Sequence, residues 1–135
     1  MLPNLPFREK FTSSRQLIPG SRINSLTDLL TSSKSGITAT PGGNNTNSVQ
    51  LNDAYNEISV VTTANDSVVL PLAKAGLRVG VLNSDAADSL RIFGFGTDTI
   101  KAGNGAAAAS SDLAAATAAV FECFKDGLWI RFTSA

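Results

Sequence analysis

The sequence predicts an all-β chain, an antiparallel, jelly-roll-like β-sandwich with an extended amino-terminal arm and one or two short helices. Three observations predict it. β-Branched or alternating segments recur every ~8–12 residues with turn residues between them, which is the spacing of sandwich or small-barrel strands. The prolines of LPNLPF and LIPG interrupt residues 1–35 too often for a helix interior or a central strand. A length of 135 residues suits one domain with one core.

Residues 1–35 read as the arm. Their apolar residues, among them Leu2, Leu5, Phe7, Phe11, Leu17 and Ile18, follow no steady period. Five cations stand against two carboxylates there, a net +3, and residues 36–135 carry the balancing −3. Fully stretched, such an arm reaches roughly 115 Å at ~3.3 Å per residue, far beyond one small domain. Within it, Ile23, Leu26, Leu29 and Leu30 share a helical face and predict a short helix over 21–30. The β-domain is expected over 36–135. It opens on the turn-rich GITATPGGNNTNS, and Leu51, Ala54, Tyr55 and Ile58 then predict a second short helix over 48–58, capped by Ser48.

From Ile58 the period changes. EISVVTTA is β-branched and reads as a strand. Asn65, Asp66 and Ser67 make a turn, and SVVLPL is a strand that Pro71 places at a sheet edge or a strand end. In LRVGVLN, Leu77, Val79 and Val81 face one way and Arg78, Gly80 and Leu82 the other. SLRIFGF repeats the alternation, with Leu90 and Ile92 opposite Arg91 and Phe93. TDTIKAG is a short strand. The alanine-rich run is read as a loop over 102–111 with a strand starting near Thr117, because Ser110, Ser111 and Asp112 favour turns over helix. VFECF and LWIRF are the last two strands, joined at Asp126-Gly127, a favoured hairpin turn.

The chemistry-bearing residues are few. The chain has no histidine, hence neither the commonest general base nor the commonest metal ligand. Its one cysteine, Cys123, has no partner for an internal disulfide and reads as a small buried thiol. Gly94-Phe95-Gly96 supplies the first two glycines of a dinucleotide fingerprint, but the third falls on Thr99 and a β-like segment follows, so the glycines are read as a bend. Asn83, Asp85 and Asp88 offer oxygens but lack the spacing of a calcium loop. No cofactor, metal or catalytic residue is expected. The balanced charge gives no reason to expect a nucleic acid or an anionic membrane as partner. The amino terminus lacks a signal peptide's apolar core, and no window approaches the ~18 apolar residues of a membrane span, so synthesis in a reducing cytoplasm is expected. Phe93, Phe95, Phe121, Phe124, Trp129 and Phe132 all fall in predicted strands, for core or subunit interface.

Across about 36–130 the order of motifs is similar to that of a widespread group of small structural proteins of tailed bacteriophages. Gly36-Ile37-Thr38-Ala39 matches their GITA segment, and Val61-Thr62-Thr63 the end of their first strand. Asp66-Ser67-Val68-Val69-Leu70-Pro71 matches D-S-V-x-L-P, and Ala75 to Asn83 matches A-G-x-x-V-x-V-x-N. Gly96-Thr97-Asp98-Thr99-Ile100 and Gly127-Leu128-Trp129 complete the order, and Phe93-Gly94-Phe95 departs from it where a proline is often found. The resemblance implies a virion component, most simply a capsid decoration (cement) protein, with a head-fibre or tail-fibre protein that binds a glycan or another fibre as the alternative. The expected partners are the major capsid protein and copies of the chain itself, as a homotrimer. The expected capsid-binding residues lie in the arm, with Phe7, Phe11, Leu17 and Ile18 as anchors and Arg8, Lys10, Arg15 and Arg22 pairing with acidic capsid surface.

Overall fold

The computed structural model describes residues 32–134, which form ten β-strands and no helix. They are β1 (Ser33–Thr38), β2 (Val49–Gln50), β3 (Tyr55–Val60), β4 (Asp66–Val69), β5 (Arg78–Asn83), β6 (Leu90–Phe93), β7 (Thr99–Ala102), β8 (Ser110–Leu113), β9 (Thr117–Lys125) and β10 (Leu128–Thr133). One compact unit begins at Ser33, so β1 runs across position 36, where the sequence places the domain start. The helix expected over 21–30 lies outside the described residues.

The strands divide between a six-stranded sheet, ordered β1-β3-β5-β9-β10-β7, and a four-stranded sheet, ordered β2-β4-β6-β8. The chain alternates between them. β1, β3 and β5 pair in parallel in the first sheet, and β2, β4 and β6 pair in parallel in the second. Each pass through both sheets brings the chain back beside its previous pass. A strand of the opposite sheet thus serves as the crossover that a parallel pair requires. β8 then runs antiparallel to β6, β9 antiparallel to β5, β10 antiparallel to β9, and β7 parallel to β10.

Five of these eight pairings are parallel, which corrects the expected antiparallel, jelly-roll-like arrangement. The turn expected at Asn65-Asp66-Ser67 lies at 61–65, with Asp66 and Ser67 in β4, and its role differs too. A short polar turn between two strands reads as a hairpin because hairpins are the commonest such connection. Here the 61–65 and 84–89 turns carry the chain from one sheet to the other. The Asp126-Gly127 hairpin does form: Gly127 takes φ +85° and β9 pairs with β10.

The helix expected over 48–58 is also corrected: β2 and β3 occupy it. Leu51 and Ile58 are fully buried, as either conformation would leave them. Tyr55 decides the matter, because it is 51% exposed where a helical face would have buried it. Pairing of Val49 and Gln50 with β4, and of Tyr55 to Ile58 with β5, satisfies the backbone across the sheets and overrides an eleven-residue helical pattern. β8 was missed altogether, since Ser110-Ser111-Asp112 carries turn formers and only Leu113 is fully buried. The strand start at Thr117 and the strand end before Pro71 stand as read.

One buried cluster draws on both sheets. Ile58, Val81, Phe121 and Trp129 come from the six-stranded sheet, and Val68, Leu90, Ile92 and Leu113 from the four-stranded one. The alternation read in LRVGVLN and SLRIFGF holds: Val79, Val81, Leu90 and Ile92 turn inward, while Arg78 and Leu82 turn out. Arg131 on β10 ties the sheets together, donating to the Ser111 hydroxyl at 2.5 Å and the Asp112 carbonyl at 2.7 Å on β8. Buried Asn83 closes the joint between β5 and β6. Its amide donates to the carbonyls of Asp88, Leu113 and Ala114 at 2.9, 3.3 and 3.2 Å.

Candidate interaction surface

The glycine-rich turn after β6 holds no phosphate cradle. Gly94 donates to the Ala109 carbonyl at 3.0 Å, and the Asp98 N–H donates to the Phe95 carbonyl at 2.9 Å. A Cβ on Gly94 would run into the Asp98 backbone carbonyl, and Gly96 takes φ +60°, so both glycines serve the bend. The buried Asp98 carboxylate accepts the Ala73 N–H at 2.7 Å.

Asp85 and Asp66 are likewise turned on the chain's own backbone. Asp85 accepts from the N–H groups of Ala87, Asp88 and Val61 at 2.9, 3.0 and 3.3 Å, which hold its carboxyl below the ordinary value. At Asp66, burial pushes the carboxyl up. The Thr63 N–H and hydroxyl, the Thr62 N–H and the Gly42 backbone outweigh it and bring the group below the ordinary value. Asp112 is held low chiefly by Arg91, which bridges it with Nε at 2.7 Å and Nη2 at 2.9 Å. Among the described residues no group of three or more His, Cys, Asp or Glu is placed to hold a metal. Burial pushes the Cys123 thiol up, and its Sγ donates to the Lys125 carbonyl at 3.0 Å, so it packs as a buried, hydrogen-bonded thiol.

What the domain offers to a partner is a face. On the outer side of the six-stranded sheet, register lines up Ser33, Tyr55, Gly80, Val120 and Phe132 across five strands. Beside that row run Glu57, Leu82 and Ala118, and on its other side Arg78, Glu122, Ile130 and Lys101. The Tyr55 ring lies over Gly80, where a Cβ would strike it. Between the Tyr55 row and the Leu82 row runs a groove of about 350 Å³, floored by Gly80 and Ala118. The strand aromatics divide: Phe121 and Trp129 are fully buried, Phe93 is half-buried, and Phe124 and Phe132 are 66% and 51% exposed.

The outer side of the four-stranded sheet differs at β4, where the chain covers it, while Arg91, Phe93 and Asp112 on β6 and β8 stay partly exposed. All four residues of β4 are buried. Residues 40–48 lie over them: Gly43 sits against the Ser67 and Ser48 hydroxyls, Ser48 Oγ bonds Ser67 Oγ at 2.6 Å, and Asn45 reaches the Gly96 carbonyl at 2.6 Å.

The arm residues singled out from sequence, Phe7, Arg8, Lys10, Phe11, Arg15, Leu17, Ile18 and Arg22, lie outside the described residues. Sequence reasoning missed Tyr55 as a surface residue by placing it on a helix. The signal was present in part, since Gly80 and Leu82 had been read onto one strand face. Comparison with protein-family models, with curated proteins and with solved structures returned no match.

Proposed function

We propose that this chain is a virion structural protein of a tailed bacteriophage: a capsid decoration (cement) protein. In this reading the two sheets form a β-sandwich, three copies assemble as a homotrimer, and the amino-terminal segment staples the trimer to the major capsid protein on the capsid surface. The observation that carries the reading is where the shared motif residues sit. Asp66 pins the 62–63 turn and Asn83 clamps β5 to β8. Asp98 holds Ala73, and Trp129 fills the core. A motif set made of turn pins and core side chains specifies a shape, and shape is what a shell component contributes. The basic segment at +3 is the part suited by charge to an acidic shell surface.

Cosedimentation of the purified chain with undecorated capsids of its own phage tests this. Saturation near one copy per major capsid protein is expected. Binding at a handful of sites would replace the reading with a fibre role, and no binding would remove the capsid as partner. Deleting residues 2–30 is expected to leave a folded β-domain that no longer cosediments. Retention of full affinity would overturn the staple.

A further inference from the structure

We propose that the outer face of the six-stranded sheet is the surface through which copies of this chain associate, each copy's Tyr55–Val120–Phe132 row packing against its symmetry mates. This rests on the self-assembling part of the function proposed above and assigns it a location.

Four features of the domain lead there. Tyr55 and Phe132 are each 51% exposed, and Leu82, Ala118, Val120 and Ile130 fill the space around them, giving an apolar centre with aromatic anchors. Parallel pairs seldom leave a face to water. Here the β1-β3-β5 set has its inner face on the core and its outer face open, while β4, a central strand of the opposite sheet, is covered by residues 40–48. The area is sufficient: six strands at ~4.8 Å and about six residues at ~3.3 Å project to about 550 Å² before side-chain relief, near the ~800 Å² each partner gives to a standard interface.

Charge selects the occupant. Arg78 and Lys101 stand on the face with Glu57 and Glu122, and Arg78 already pairs with Glu122 at 3.2 Å. Such a mixed field neither repels a second copy nor attracts a polyanion, and its two signs allow one copy's Lys101 to meet another's Glu57. A strongly acidic shell surface would match the basic residues 1–35 and not this face.

The test is sedimentation equilibrium of the full chain without capsids, compared with Val120→Lys and with Phe132→Ser. The wild type is expected to be an oligomer at micromolar concentration. Each variant is expected to dissociate about 30-fold more readily or worse, with an unchanged far-ultraviolet circular dichroism spectrum. Phe132 is half exposed near the chain's end, so its replacement keeps the test open should Val120→Lys fail to fold. A wild-type monomer at 100-fold higher concentration (about 100 µM on this scale) would overturn the proposal, as would folded variants that associate like the wild type. Capsid cosedimentation of the same proteins reads the other question separately. A monomeric variant that still binds capsids upholds this face and removes the trimer from the staple. An oligomer that ignores capsids upholds this face and overturns the decoration role.

Discussion

Two glycines show how much a single Cβ matters and why the answer depends on what it meets. At Gly94 the obstacle is the Asp98 backbone carbonyl, held in place by the Asp98 N–H bond to Phe95. At Gly80 the obstacle is the Tyr55 ring, which is half exposed and free to swing about its own side-chain bonds. Gly94→Ala is therefore expected to lower stability by about 1–3 kcal/mol, because backbone must move. Gly80→Ala is expected to stay within about 0.5 kcal/mol of the wild type while lifting the ring. Urea midpoints at constant slope check both, and equal losses would show that the ring is as fixed as the backbone. From sequence alone the two glycines look alike, since each interrupts an alternating strand. The neighbour that separates them is four residues away in one case and twenty-five in the other.

At the scale of elements, the joints carry the instruction that turns the chain from one sheet to the next. Asn83 is the clearest, fully buried with its amide shared among three carbonyls from two segments. Asn83→Ala leaves buried acceptors without their donor and is expected to cost at least about 2 kcal/mol. Chemical denaturation measures it, and a change under half that size would mean that water replaces the amide. The strands themselves were largely legible: period-two alternation in β5, β6 and β9 needs only neighbouring residues to be read. β8 was not legible, because its polar residues are held by Arg91 and Arg131 from other strands. Nor was β2, whose two residues become a strand only by lying beside Val68 and Val69.

For the whole molecule, the depressed carboxylates set a direction for acid stability. Asp66, Asp85, Asp112 and Asp126 are all held below the ordinary value of 3.8 by hydrogen bonds or a neighbouring cation present only in the fold. The unfolded chain binds more protons through that range, so stability rises with pH there. It is fully present above about pH 5, begins to fall near 3.8 and is lost as pH drops through the folded values. Urea midpoints between pH 2 and pH 6 (on the order of the carboxylate range) are expected to climb and then level. A flat profile would mean that these turn carboxylates contribute nothing net. The aromatic surface belongs to this scale too. Phe121, Phe124, Trp129 and Phe132 were read together as core or interface, and strand alternation alone could not say which was which until a second sheet covered one side.

The sequence by itself determined that the chain is all-β from about Ile58 onward, where most strands and the final hairpin fall, and that Gly96 and Gly127 serve bends. Those properties live in spacing and in side-chain-to-backbone bonds over a few residues, which a local reading can follow. Tertiary structure alone decided that β1, β3 and β5 run parallel, that the segment at 48–58 is extended, and that the outer face is open over the six-stranded sheet and closed over β4. The physical reason is that a turn's residues fix where the chain bends but not which sheet it bends into. That choice is made by backbone pairing and apolar burial between segments some twenty residues apart, such as Tyr55 with Gly80 and Asp66 with Leu90.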